Sequence, residues 1–199
     1  MAYTDIDDPT KYFNTVLYSA DASTNVSVTV GHQPDFVWIK RRNGSSNHVS
    51  FDSVRGTQKG LFPDITNAEA TEGGSRGLTS FDSNGFTIGP QLQDIAGSIN
   101  APSGTYVSWN WKEDATAGFD IVSYTGNATA RTISHSLSAV PHWMIVKPRE
   151  SSSEGWSVYH HKIASDPETD VIRLDETNAA FDNSGYWNDT APTSSVFSV

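Results

Sequence analysis

Cysteine is absent from all 199 residues. That removes disulfide scaffolds, thiol catalysis and thiolate-bound zinc, and it leaves the cellular compartment open. Basic charge is scarce: 13 Lys and Arg stand against 23 Asp and Glu, for a formal net charge of −10 and an isoelectric point near 4.8. An acidic surface repels phosphate backbones and anionic lipid, so neither nucleic acid nor a membrane surface is an expected partner. No apolar run approaches the roughly 18 residues that span a bilayer. The opening MAYTDIDDPTKYF has neither the basic region nor the apolar stretch of a secretory signal. The expectation is a chain made in a cytoplasm that leaves, if it leaves, without a cleaved signal. The nucleophile elbow, the phosphate-binding loop and the glycine fingerprint of dinucleotide sites are all missing. Nothing calls for a cofactor, and an enzyme is not expected.

Aromatic residues, by contrast, are plentiful, with 6 Trp, 7 Tyr and 9 Phe, enough for two small cores and too many for a disordered chain. A stretch of sequence also appears twice. One copy begins at Phe13 (FNTVLYSADASTNVSVTVGHQPDFVWIKRR), the other at Phe119 (FDIVSYTGNATARTISHSLSAVPHWMIVKPR). Phe13, Val16 and Tyr18 match Phe119, Val122 and Tyr124 at an offset of 106; Pro34, Ile39, Lys40 and Arg42 match Pro141, Val146, Lys147 and Arg149 at 107. A period this long suits tandem small domains rather than a solenoid. The expected organisation is a first module over 1–112, a linker over 113–118 and a second module over 119–199.

Strand patterns dominate both copies. Val26 to Val30 alternates apolar and polar, the period of a strand with one buried face. FVWI at Phe36 to Ile39 and WMIV at Trp143 to Val146 are apolar on both faces, which suits central strands, with Pro34 and Pro141 at their entries. His48 to Phe51 and Trp156 to Tyr159 follow as strands. Leu78 to Asp82 and Phe86 to Ile88 flank Ser83-Asn84-Gly85, read as a hairpin with a primed Asn-Gly turn. TYVSWNW at Thr105 to Trp111 puts Val107, Trp109 and Trp111 on one face, read as a core-facing closing strand. Helical spacing is best around Asp166 to Leu174, but too short and mixed to specify a helix. The fold class is therefore all-β, as two tandem antiparallel β-sandwich modules. The end of the second module has two readings. Pairing Phe86 with Phe197 leaves that module without its last strand; pairing FDSNGF with FDNSGY makes Val196 to Val199 that strand. The first is preferred because its offset drifts slowly in one direction.

The segments MAYTDIDDPTKYFNTVLY, QPDFVWIKRR, FDSVRG, GLTSFDSNGFTIG and TYVSWNWK resemble the opening module of large structural proteins of marine and cyanobacterial tailed phages. YTGNATARTISHSL, VPHWMIVKPR, WSVYHH and WNDTAPTSSVFSV resemble the repeat that follows in them. The resemblance implies a virion protein, of the tail fibre or associated with the tail, engaged in host attachment. Capsid decoration is an alternative. Its expected partners are other virion proteins, and by analogy a homo-oligomer, a trimer. It supplies no catalytic or binding residues.

The residues themselves offer one binding lead. Tyr186 and Trp187 lie in a polar loop, NSGYWNDTAPT, beside Asp182, Asn183, Asn188 and Asp189. Flat rings with amides and carboxylates nearby suit sugar binding, so Tyr186, Trp187, Asp182 and Asn188 are the candidate site for a host surface glycan; a ring folded back over the sandwich end is the competing and preferred reading. Paired carboxylates for glycoside cleavage are read as solvated loop acids. Adjacent His160 and His161 point to opposite faces of a strand, which disfavours a shared metal. His135 and His142 could approach each other. Asp5, Asp7 and Asp8 lack the turn glycine and closing glutamate of a calcium loop. No metal is expected.

Overall fold

The computed structural model describes residues 6–90 and 99–199. Their strands, in chain order, are β1 (Phe13–Ser19), β2 (Val26–Thr29), β3 (Phe36–Arg41), β4 (Val49–Asp52), β5 (Lys59–Gly60), β6 (Ala70–Thr71), β7 (Leu78–Asp82) and β8 (Gly85–Ile88). They continue as β9 (Thr105–Trp111), β10 (Thr132–Ser134), β11 (Trp143–Val146), β12 (Ser157–His160), β13 (Asp170–Arg173), β14 (Phe181–Asp182) and β15 (Val196–Ser198). Helical structure among the described residues is limited to two 3₁₀ turns, Pro9–Lys11 and Pro167–Thr169. The architecture is all-β, in several antiparallel sheets.

In the first half, a four-stranded sheet of order β1-β9-β3-β4 faces a three-stranded sheet of order β2-β8-β7. Val37, Ile39, Val49, Phe51 and Tyr106 of one sheet close on Val28, Leu78, Phe86 and Ile88 of the other, in one buried cluster. Alternation along each strand sends these residues inward together. In the second half, β11-β12-β13-β14 form one sheet and β10 pairs with β15. A separate, smaller core of Tyr159, Val171 and Trp187 lies there, with Met144, Val146 and Tyr186 packed against it.

Several expectations change. Val107, Trp109 and Trp111 face outward, half-buried, while Tyr106, Ser108 and Asn110 fill the interior positions of β9. Alternation separates two faces without saying which is covered, and here the polar face turns in because its partners are supplied. Asn110 Nδ2 donates to the Asn14 carbonyl at 3.0 Å and to Ser108 Oγ at 3.0 Å, and Tyr106 Oη accepts from Ala101 N at 3.0 Å. The β7–β8 hairpin forms, but its two turn residues are Ser83 and Asn84, with Asp82 opposite Gly85. Gly85 carries the positive φ, 155°. A Cβ there would lie 1.9 Å from the Val28 carbonyl oxygen across the β2–β8 pair, so only glycine fits. Asp166 to Leu174, too short and mixed to specify a helix, contains a 3₁₀ turn followed by β13.

β3 lies between β9 and β4, as expected of a central strand. β11 does not repeat this: it is the terminal strand of its sheet, and Trp143 is 57% exposed. β15 pairs with β10, Phe197 opposite Ile133, as β8 pairs with β2, Phe86 opposite Val28. That is the strand position which the Phe86–Phe197 alignment assigns to it.

The two halves meet at a polar, partly buried joint. Trp156 Nε1 donates to the Phe62 carbonyl at 2.8 Å, and Glu69 N donates to the Arg149 carbonyl at 2.7 Å. Arg149 grips the Glu69 carboxylate with Nε and Nη2, both at 3.0 Å, while Arg55 Nη1 donates to the same carboxylate at 2.9 Å and Arg55 Nε to Asp52. Burial works to raise the Glu69 pKa, but the hydrogen bonds from Arg149 and Arg55 outweigh it and hold the carboxyl below its usual value.

Candidate functional site

Ser184 to Asp189 form a compact turn. Asn188 and Asp189 take left-handed φ values of 52° and 43°, which short polar side chains tolerate. The turn leaves Asp182 and Asn188 at the surface but drives Trp187 inward to 2% exposure. The indole Nε1 donates to the Asp170 carbonyl at 3.0 Å, and the ring meets Tyr159 edge to face, centroids 5.9 Å apart. Tyr186 is half-buried: Arg173 lies over its ring at 4.9 Å and donates to its hydroxyl, and Phe181 packs against it. The four candidate residues are thus neighbours, but the indole is enclosed by the core and the phenol is covered by a guanidinium. Neither ring lies open for stacking on a sugar.

Phe13, exposed, and a set of half-buried rings lie elsewhere, on the outward face of the β1-β9-β3-β4 sheet. Register places Phe13, Trp111 and Phe36 in one row, and Thr15, Trp109 and Trp38 in the next. Leu17, 60% exposed, lies opposite Val107, which pairs on its other side with Lys40. Phe119, from the start of the second half, caps the first row, stacked on Trp111 at 6.1 Å. Trp38 Nε1 donates to His48 Nδ1 at 2.9 Å and Lys40 Nζ donates to the Ser46 carbonyl, which places polar groups at one margin. The signal was in the sequence: the alternation of Trp109 and Trp111 marks this face, read there as core.

The other candidate is the open side of β11. In the first half, β9 fills the place between β1 and β3. Asp35 N donates to the Trp111 carbonyl and Arg42 N to the Thr105 carbonyl, each at 2.7 Å. Among the described residues, no strand lies on the corresponding side of β11. Met144 and Val146 are only half-buried, whereas Val37 and Ile39 are at 0% and 1% exposure. The segment 119–124, aligned with β1, forms no strand but keeps one of its ring contacts. Tyr124 meets Phe197 with ring centroids 6.3 Å apart at 67°, as Tyr18 meets Phe86 at 6.4 Å and 84°. In the first half Tyr106 of β9 stacks on Tyr18 at 5.0 Å.

Of the ionisable groups, Glu113 and Asp120 interact at the turn between the halves. Burial, then the hydrogen bond with Asp120, pushes Glu113 up to about 7. Asp120 moves down: burial opposes this, but the Glu113 hydrogen bond and those from Ser136 outweigh it. His142 stacks on His161, centroids 4.0 Å apart, while His135 Nε2 donates to the Thr193 carbonyl at 3.1 Å. Desolvation, then neighbouring His142, lowers the His161 pKa. No group of three or more His, Asp or Glu among the described residues is placed to hold a metal ion. Asp5 lies outside the described residues, and Asp8 caps the 3₁₀ turn at Thr10 N.

The fold and these surfaces define an all-β protein whose distinctive features are aromatic faces and an open sheet edge. The chain belongs to the family described as Domain of unknown function (DUF7483), whose model matches residues 8–199. No curated protein and no solved structure matches it.

Proposed function

We propose that the chain is a structural module of a phage virion, a tail-fibre or tail-associated component that serves host attachment and has no catalytic role. The observation that carries the reading is the doubling of the sequence, which we read as two β-sandwich units in series, with halves fixed to each other by the Glu69–Arg149 clamp and the Trp156–Phe62 bond. The resemblance of the repeated segments to phage structural proteins supplies the setting. Units held in fixed relation transmit position along an appendage, and oligomerisation about its axis follows by analogy with other appendages. Mass spectrometry of purified phage particles encoding the chain tests this. Recovery of the chain at a fixed copy number per particle is expected; its absence from particles, with expression in the infected cell, overturns the proposal.

A second reading has its own support in the outward face of the first sheet. Trp38, Trp109 and Phe13 offer rings beside Lys40 and His48, and such a platform suits the pyranose rings of a host surface glycan. Here Trp109→Ala abolishes binding to host-cell glycan while unfolding stays cooperative. Equal binding by the wild type and the variant removes this reading.

A further inference from the structure

We propose that the outward face of the β1-β9-β3-β4 sheet takes an acidic saccharide, with a pyranose ring against Trp38 and Trp109 and a carboxylate on Lys40 and Arg42. The inference rests on the second reading above, glycan binding at this face, and deepens it by naming the class of sugar.

What covers one part of the face defines the part left for a ligand. Phe119 lies against Trp111 and Phe36, with ring centroids at 6.1 and 6.0 Å, and closes that row. In the next row Trp38 and Trp109 meet each other at 76°, centroids 6.4 Å apart, and among the described residues no ring of the second half packs on either. Thr15 and Leu17 are exposed beside them along β1. Trp38 Nε1 is spent on His48 Nδ1 at 2.9 Å, which fixes the indole, so what it presents to a ligand is its ring. A half-buried indole pair of this kind offers contact to the C–H face of a pyranose.

Charge selects which pyranose. The chain carries a net −10, yet β1, β3 and β9 contain no Asp or Glu, and none occurs from Phe36 to Phe51. Lys40, Arg41 and Arg42 are consecutive within that stretch. Alternation from Trp38 places Lys40 and Arg42 on the outward face. Lys40 lies opposite Val107, and Arg42 N continues the ladder by donating to the Thr105 carbonyl at 2.7 Å. Arg41 falls on the other side, where its Nε donates to Asn43 Oδ1 at 3.2 Å. Lys40 Nζ donates to the Ser46 carbonyl, which holds the ammonium at the margin of the indole pair with further hydrogens to give. Arg42 is exposed, and among the described residues neither cation is ion-paired. The neighbouring acids are engaged elsewhere: Asp52 of β4 binds Arg55, and Asp64 accepts from His48 N at 3.0 Å. A carboxylate on the ligand therefore finds two cations and no anion on the face. Two cations suit a uronate-like sugar; a polyphosphate backbone needs more of them, and the overall charge opposes it.

The test uses the intact 199-residue chain and two probes with one backbone, tetragalacturonate and its fully methyl-esterified form, which keeps the rings and removes the charge. Titration calorimetry at low salt compares the wild type, Arg42→Gln, and Arg42→Gln with Lys40→Met added. The acid should bind the wild type tighter than the ester by about fivefold or more, since an exposed ion pair is worth about two- to fivefold. That preference should shrink as salt rises. Arg42→Gln breaks no side-chain bond seen among the described residues; it should weaken the acid by about threefold and leave the ester unchanged. The double variant should bind both probes alike. Equal binding of acid and ester by the wild type, or an undiminished preference in the double variant, overturns the inference and leaves glycan binding at this face standing. Binding of neither probe, or tighter binding of an oligothymidylate than of the acid, also overturns it. The reading beneath it fails on a different measurement, equal binding of host-cell glycan by the wild type and Trp109→Ala, so the two failures are distinguishable.

Discussion

Trp187 has polar sequence neighbours and a buried ring, the folded-back alternative to sugar stacking. Asn183, Asn188 and Asp189 serve the turn that carries the ring inward, Asn183 Oδ1 by accepting from Gly185 N at 2.9 Å and the other two by their left-handed φ. A fully buried indole with its N–H satisfied is a core residue. Trp187→Ala should cost about 3–5 kcal/mol in denaturant unfolding, since it removes the largest member of a small core. A cost under about 1 kcal/mol would show the ring to be peripheral. Glu113 supports a prediction in pH. Below the ordinary glutamate value of 4.5, folded and unfolded chains both hold its proton; from there to about 7 only the folded chain does. Stability therefore declines as pH rises across that window and levels off above it. Glu113→Gln keeps a donor for Asp120 and carries no charge. It should flatten the decline, raising the melting temperature at pH 8 relative to the wild type and changing little at pH 4.5. Parallel pH profiles for the two proteins would count against the Glu113–Asp120 interaction.

At the scale of elements, β9 shows how far a strand pattern can be read. Its position and length follow from TYVSWNW, because alternation over seven residues specifies a strand. Its facing does not follow, because aromatic and polar sets are both compatible with burial when the polar set finds partners. Asn14, which supplies one of them, is 96 residues away in sequence. The facing predicts an asymmetry. Ser108→Leu, inward at 0% exposure, should destabilise by about 1–3 kcal/mol through overpacking. Thr15→Val, exposed on the outward face of β1, should stay within about 0.5 kcal/mol. Reversal of that order in thermal unfolding would mean the faces are exchanged. β11 marks the same boundary. WMIV reads as a central strand on composition, yet a strand is central only if a neighbour arrives on each side, and no property of those four residues supplies one.

For the whole molecule, the joint between the halves decides whether they behave as one body. Arg55, with its side chain at 5% exposure, depends on Asp52 and Glu69 for compensation of its charge. Glu69→Ala should cost about 1.5–3 kcal/mol, dominated by the lost Arg55 bond, because Arg149 is too exposed to add much. It should also split unfolding into two transitions, one for each core, where a single one is expected of the wild type. A single shifted transition would show that Trp156 and the aromatic contacts of Phe119 suffice to couple the halves. The joint itself was invisible in the sequence: Glu69 and Arg149 lie 80 residues apart, in segments that look like ordinary polar loops.

By itself, the sequence determined the all-β class, the doubling, and the positions of β2, β3, β4, β7, β8, β9, β11 and β12, since each depends on residues close together or on a repeat that can be aligned. The tertiary structure alone decided which face of β9 is covered, that Trp187 is buried, that β11 lies at an edge, and how the halves are joined. Those outcomes depend on which distant groups supply hydrogen-bond partners and neighbouring strands, and local periodicity carries no record of them.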